Sequence, residues 1–395
     1  MRRPHPFCDV VVVGAGITGL ALGLALHRMG LVVRVLDHAA PPAFTPDPGF
    51  DTRIYALSLA SQRFLEQVGG WGAMDPARLT PLRAMDIRGD QGGQLHFDAP
   101  GPDTPLGFIA EAGALLQGLL TVVRHTAPTL LTAPVQVALE AHTPRERRLR
   151  LTRADGRSDV QGTHLVVAAD GLQSPLRTAL GIATDIRPYG QTAVVANYHS
   201  TVPHKGVARQ WFLPGEVVAL LPLPGDHVSL VWSAQEAHAQ ALLALTPEAR
   251  TAALQAVAGD AAGTLREVSR PAGFPLRLMR AERLTAPRAV LVGDAAHGVH
   301  PMAGQGLNLG LQDAAALVEV LRQRGEGPDC GDAGLLRRHA RARVEPVWAM
   351  QGLTDGLFRL FGSTRAPLPW LRNWGLSQVD RLPFLKTRLV DHANR

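Results

Sequence analysis

The feature that most constrains this chain is a glycine triplet set between an apolar run and a helix-forming one. Gly14-Ala15-Gly16-Ile17-Thr18-Gly19 is a G-x-G-x-x-G, preceded by Asp9 to Val13 and leading into the periodic stretch Thr18 to Met29. Strand, glycine turn, helix and then a second strand at Val32 to Leu36 make the start of a βαβ unit. Gly14 permits the tight turn, Gly16 lets the backbone approach a pyrophosphate, and Gly19 allows helix and strand to pack closely. The helix N-terminus offers unpaired N–H groups and a partial positive charge to phosphates. Asp37 closes the second strand, where a carboxylate accepts hydrogen bonds from a ribose. It favours an unphosphorylated ribose, as in FAD or NAD, over NADP.

Bulk composition narrows the class. The 395 residues are enough for two lobes, or for one large domain with a smaller one inserted. Hydrophobic residues at 46% and charged residues at 19% fit a globular enzyme, not a disordered chain. The formal charge is +6, and Lys205 and Lys386 are the only lysines, so arginine supplies nearly all of it. These arginines are scattered, apart from a modest cluster at Arg337, Arg338, Arg341 and Arg343. With no aromatic-basic interleaving, nucleic acid is not expected as a partner. Cys8 and Cys330 cannot build a disulfide framework or a metal site, so no metal is expected and a reducing, cytoplasmic compartment is. The opening Met1-Arg2-Arg3 superficially resembles a signal peptide, but Asp9 and the glycines exclude one, and no stretch reads as a membrane span.

Two further motifs follow buried strands. Leu165 to Ala169 leads into Asp170-Gly171-Leu172-Gln173-Ser174-Pro175-Leu176-Arg177, a D-G-x-x-S-x-x-R pattern more specific than an ordinary Asp-Gly turn. Ala289 to Val292 leads into Gly293-Asp294-Ala295-Ala296-His297, which continues through Pro301, Gly304, Gln305, Gly306, Leu307 and Asn308 to Gly310. Asp294 is suited to ribityl hydroxyls. Backbone N–H groups from Gly304 to Asn308, backed by a helix dipole, are suited to negative charge on a reduced isoalloxazine. Between about Arg187 and Arg270 the pattern becomes extended. Val194 to Tyr198, Ala208 to Leu213, Val217 to Leu221 and Val228 to Trp232 read as antiparallel strands, with a turn at Pro224-Gly225-Asp226.

In this order and spacing the three motifs resemble those of the class A flavoprotein monooxygenases, the para-hydroxybenzoate hydroxylase fold. Within that group the chain is similar to the ubiquinone-biosynthesis hydroxylases of the UbiH/UbiI/UbiF type. The likeness rests also on Asp51-Thr52-Arg53-Ile54-Tyr55-Ala56-Leu57-Ser58, on Trp211-Phe212 and Ala219 to Pro224, and on Leu371-Arg372-Asn373-Trp374-Gly375-Leu376 with the later Pro383 to Lys386. It spans essentially the whole chain. The resemblance implies an α/β fold: a discontinuous Rossmann-like FAD-binding domain, an inserted β-rich substrate domain and a C-terminal helical region. The expected bounds are 1–80, 99–183 and 273–343 for the first, 81–98 and 184–272 for the second, and 344–395 for the third.

It implies ring hydroxylation of a polyprenylated phenol through a C4a-hydroperoxyflavin, with O2 and with NADPH or NADH as a transient co-substrate. Arg53 is then expected against the cofactor, sharing with Pro301 and Gly304 the stabilisation of anionic reduced flavin. One departure stands out: no arginine lies near the start of the helix around Glu111 to Leu120, where many relatives hold FAD, and Gln117 is not assigned that role.

Alternatives stay open at this stage: a hydroxylase of a small soluble phenolic acid, and a non-catalytic FAD-binding scaffold in a quinone-synthesis complex. His297 and His300 flank the flavin loop and His199, His204 and His227 lie in the β lobe, but none is assigned as a general base. Leu353, Leu357, Leu360 and Phe361, at helix-face spacing, are expected to pack on the FAD domain or a neighbouring subunit. The aromatic and cationic run Pro367 to Trp374 is read first as an ordinary packed tail, with peripheral contact with the inner membrane, and assembly as a homo-oligomer or quinone-synthesis complex, as partner readings left open.

Overall fold

The computed structural model describes residues 6–42, 49–101, 103–299, 305–362, 368–382, 384 and 386. Its first layer is a sheet in the spatial order Thr285–Ala286, Ala289–Leu291, Ser158–Ala168, Phe7–Val13, Val33–Leu36, Leu131–Thr132. All but the first of these run parallel, with Val10 paired to Leu165 on one side and to Val33 on the other. Alternation divides the apolar side chains between two faces. Val10, Val12, Val35, Leu165, Val167 and Val290 meet the helices Ile17–Arg28, Ala112–Thr126 and Gly306–Arg322. Val11, Val13, Leu36, Val166, Ala168 and Leu291 meet the antiparallel strands Gln136–His142 and Arg147–Thr152. A parallel sheet covered on both faces needs apolar residues at every position, which is why Val10 to Val13 do not alternate with polar ones. Burying each such valine or leucine contributes about 1.5–3 kcal/mol.

The second layer is the β-rich insert. Thr184–Ser200, Val207–Leu213, Glu216–Leu223 and His227–Gln235 lie in one antiparallel sheet, and the hairpin Ala84–Arg88 with Gln94–Asp98 joins its edge. The strand Ala272–Ala281 belongs here too, paired along Thr184–Val195, so the sheet runs past the boundary expected at residue 272. Gly273 and Pro275 disguise that strand in the sequence, and both are exposed in the sheet. One face, with Val194, Ala196, Tyr198, Val218, Leu220 and Leu230, is capped by the helices Glu236–Ala244 and Pro247–Ala258. By alternation Val195, Asn197, Ser229, Val231 and Ala219 occupy the other face, which turns toward the first layer.

Ala333–Gly362 is a single helix that continues through Pro346, so the division expected at residue 344 falls inside it. Thirty residues at 1.5 Å each span about 45 Å, enough to begin on one layer and end on the other. Leu335 and Leu336 join the first core, whereas Phe361 stacks on Phe212 of the insert with ring centroids 3.7 Å apart. Leu357 and Leu360, expected on the FAD domain or a neighbouring subunit, instead pack beside Phe361 on the insert of the same chain, and Leu353 is exposed. The helix Leu368–Asp380 continues on the same lobe. Its buried Arg372 pairs with Asp90, and Asn373 Oδ1 accepts from the backbone of Gln91 and Gly93. Among the described residues no helix is long and apolar enough to cross a membrane.

Candidate active site at the strand ends

The three motif loops leave the carboxyl ends of adjacent parallel strands, where sheets of this kind bind ligands. Ala169 N donates to Val13 O at 2.7 Å, and Val292 N to Ala168 O at 2.9 Å, which locks the loops side by side. A Cβ on Gly14 would lie 2.2 Å from Ala169 O, and one on Gly19 would lie 1.9 Å from Gly14 O. A Cβ on Gly310 would come within 2.8 Å of Thr18 Oγ1 and 3.2 Å of Gly293 Cα, so the third loop touches the first. Packing therefore demands Gly14, Gly19 and Gly310. Gly16 is different: it is exposed, and a Cβ there would meet nothing within 4 Å. It opens the helix Ile17–Arg28 with no side-chain cap and no acidic residue in the first turn. Open N–H groups beside free space fit a pyrophosphate.

Asp37 lies at the end of the neighbouring strand. Its Oδ2 accepts from Ala15 N at 2.6 Å and its Oδ1 from Ala39 N at 3.0 Å, so it braces the glycine turn while remaining partly exposed. Beyond that strand a groove of about 330 Å³ is lined by Pro41, Leu120, Val123, Arg124, Leu131 and Ala133 among others. The cation here is Arg124, near the far end of the helix whose start lacks one.

Asp170 is engaged by its own loop. Ser174 Oγ donates to Oδ1 at 2.6 Å and Leu176 N to Oδ2 at 3.0 Å. The buried Arg177 donates to Leu172 O and to Ala295 O, both at 2.9 Å, and so staples the second loop to the third. Burial pushes the Asp170 carboxyl above the ordinary aspartate range.

Asp294 is accessible yet hemmed in by protein, so it lines an inward cleft instead of the outer surface. Burial raises its carboxyl, against the downward pull of His297 and Arg53. Arg53 faces the same cleft: it acts on both Asp294 and Tyr55, and its guanidinium lies 5.4 Å from the Phe274 ring centre. Its segment is fixed from three sides. Asp51 accepts from Arg53 N at 2.9 Å and from Gly113 N at 3.1 Å, capping the helix Ala112–Thr126. Asn197 of the insert donates to the carbonyls of Phe50 and Asp51. Asn308 donates to Ala56 O at 2.8 Å and accepts from Ser58 N at 2.9 Å.

The remaining expected residues divide. Gln305 and Gly306 stand at the start of Gly306–Arg322, where a Cβ on Gly306 would meet nothing within 4 Å. Leu307 packs on the first core. Asn308 is fully buried and acts as a clamp between helix and strand. Gly293 is buried and donates its N–H to Asp313 at 2.9 Å. Pro301, Gly304 and His300 lie outside the described residues. Sequence reasoning gave no site role to Asp51 or Arg343 and passed over Asp313. Of the histidines, His297 Nε2 meets Asp313 at 2.6 Å, and His204 Nε2 lies within 2.8 Å of Leu223 O and Gly225 O.

Residues 7–350 match the FAD binding domain family. Over 391 residues the chain is 37% identical to ubiquinone hydroxylase UbiL of Rhodospirillum rubrum, covering 98% of this chain and 89% of that one. It is 31% identical to the 3-demethoxyubiquinol 3-hydroxylase of Escherichia coli, with 98% of each chain covered. Among solved structures, Pseudomonas aeruginosa PqsL in complex with 2-aminobenzoylacetate matches with a TM-score of 0.77 at 25% identity, over 95% of this chain and 100% of that one. Fold, site and relatives together define an FAD-dependent enzyme with a flavin monooxygenase architecture. The chain belongs to the FAD-binding monooxygenase family that includes the ubiquinone hydroxylases.

Proposed function

We propose that this enzyme hydroxylates the aromatic ring of a polyprenylated phenol in ubiquinone biosynthesis, with O2 and NADPH or NADH. The observation that carries the reading is that Arg53, which acts on Asp294 and Tyr55, also lies 5.4 Å from the ring centre of Phe274 in the insert. The first layer's loops thus approach the free face of the insert sheet. That face offers Val195, Val231, Ala219 and Gln210 in one cross-strand row, with Leu221 beside it. Its Val195, Val231, Ala219 and Leu221 suit a neutral ring with a hydrocarbon tail better than a free phenolic acid, while Asn197, Ser229 and Gln210 are the polar members of the same face. The likeness to two enzymes named for ubiquinone-type substrates supports the same class.

Bound FAD, reduced by the nicotinamide, supplies the activation of O2 and the electrophilic oxygen. The chain's residues bind, orient and exclude water. N–H groups from Gly16 onward take the pyrophosphate, Asp37 takes a ribose hydroxyl, and Asp294 accepts from the ribityl chain. Asp170 acts by holding its loop against the first. Arg53, with N–H groups of Gln305 to Leu307 at the helix start and the helix dipole behind them, favours negative charge on the reduced ring system. The C-terminal helix, seated on Phe212 and Val217, closes one end of the sheet face against water. Trp370 and Trp374 are exposed and stacked 6.0 Å apart, with exposed Leu382 and Phe384 nearby in sequence, and this supports peripheral contact with the membrane that dissolves such a substrate.

Deleting the gene in its host and profiling quinone intermediates tests the reading. Accumulation of a prenylated precursor lacking one ring oxygen is expected. An unchanged quinone profile, or purified enzyme that hydroxylates only soluble phenolic acids, overturns it.

A further inference from the structure

Asp313 lies two turns into the helix Gly306–Arg322, and its side chain is 3% exposed. It makes three bonds. Oδ2 accepts from Gly293 N at 2.9 Å and meets His297 Nε2 at 2.6 Å, while Oδ1 accepts from Arg343 Nε at 2.6 Å. Gly293 and His297 stand on either side of Asp294, so two of the bonds grip the loop that presents Asp294 to the cleft. The third comes from the long C-terminal helix, whose Arg343 also donates to Gln312 Oε1 at 3.3 Å. One turn earlier on that helix, His339 is fully buried, and among the described residues neither ring nitrogen has a hydrogen-bond partner. Burial, opposed by Asp313 and aided by Arg343, pushes the His339 imidazole down to about 4, so it is neutral near pH 7. The buried Asp313 is thus gripped by Arg343 and His297, with the neutral His339 beside them.

A buried ion pair adds little net stability against an apolar pair of the same size, yet leaving either member alone is costly. Its effect is to specify placement, and what this pair places is the Gly293–His297 loop.

We infer that Asp313 and Arg343 are positioning residues for cofactor binding, a buried pair through which the C-terminal helix fixes Asp294 in the flavin cleft. The inference rests on the reading that Asp294 meets FAD, and the two fail separately. FAD is titrated into apoprotein by flavin fluorescence for wild type, Asp313→Asn, Arg343→Met, the double variant and Asp294→Ala. The visible circular dichroism of bound flavin and the melting of apoprotein are followed alongside. Each single replacement in the pair is expected to weaken FAD roughly ten- to hundredfold, and to alter the flavin dichroism. The double variant is expected to be no worse than the poorer single one, because the two residues act as a unit. Arg343→Lys, which keeps the charge, should recover part of the affinity.

Unchanged FAD affinity and dichroism in both single variants, whatever happens to melting, would overturn the inference. If Asp294→Ala weakens FAD and the pair variants do not, the inference alone falls. If Asp294→Ala also leaves FAD bound as before, the site reading falls with it. Should Asp313→Asn not fold, the Arg343→Lys and Arg343→Met titrations decide the matter by the same criteria.

Discussion

Two loops at the carboxyl edge of the first sheet carry the same device, a buried strand that hands an aspartate to a turn, and they use it in opposite ways. Asp170 finds both its partners within six residues, Ser174 Oγ and Leu176 N. Asp294 finds none: among the described residues nothing hydrogen-bonds its carboxylate, which opens onto the cleft that Arg53 also faces. Burial raises both carboxyls above the ordinary aspartate range. In the first loop built-in donors offset part of that penalty, and the carboxylate holds the turn together. In the second no described group does so, and on the proposed reading a ligand's hydroxyl groups would. On the proposed reading, the strand-end aspartate left without a described partner is the one that would meet the cofactor.

The largest effect expected from this contrast is that of Asp294→Ala. If the cofactor satisfies these acceptors, as proposed, removing them should weaken FAD by about a hundredfold. The protein should purify nearly colourless, as read from flavin absorbance and FAD titration. A yellow, fully loaded variant would break the comparison at its centre. The apoprotein adds an opposite sign. A carboxyl raised in the folded state keeps its proton to higher pH than in the unfolded chain. Apoprotein stability therefore falls as pH rises from the ordinary aspartate value through the raised one, and stays reduced above it. Asp294→Asn removes that loss, so apo Asp294→Asn should melt above apo wild type near pH 7, and the gap should close in acid.

Arg53→Ala sharpens the same side of the contrast. Asp51, Asn197 and Asn308 fix the segment by backbone contacts that do not involve the guanidinium, so the fold and FAD should survive. Coupled hydroxylation should drop by about a hundredfold, the usual effect of removing one charge-stabilising donor. The check is product formed per NAD(P)H oxidised. Unchanged coupling would remove Arg53 from the active site.

What could be read from the sequence follows the range over which each signal acts. The glycine triplet, the strand-end aspartates and the apolar face of Leu357, Leu360 and Phe361 are local patterns, and the structure contains each. The partner of a face is not local: nothing in that helix says that Phe361 will stack on Phe212 of the insert. Asn308 reads as part of a flavin loop, yet its side chain bonds Ser58, 250 positions away. Asp313 and Arg343 sit on two helices with no periodicity linking them, so their pairing had no sequence signature. Asp170 is the instructive case. Ser174 and Arg177 were visible at fixed offsets, and a hydroxyl four residues after an aspartate could have been read as its own partner.

The smaller effects test that local reading. Asp170→Asn leaves a carbonyl to accept one of the two bonds, so it should cost about 1–3 kcal/mol of stability. Melting should fall clearly while FAD affinity changes far less than in Asp294→Ala; equal loss of FAD in the two would erase the distinction between the loops. Ser174→Ala should cost less, about 1 kcal/mol, since it removes the cap of the short helix Pro175–Ala179 together with one donor to Asp170. If the loop is self-contained, Asp170→Asn and Ser174→Ala share a bond, and the double variant must lose less than the two single losses added. Strictly additive losses would mean that Asp170 draws its support from elsewhere. Additivity in the holoprotein alone would point to the bound cofactor as that support, and Asp170 would then stand with Asp294 as a ligand-facing residue.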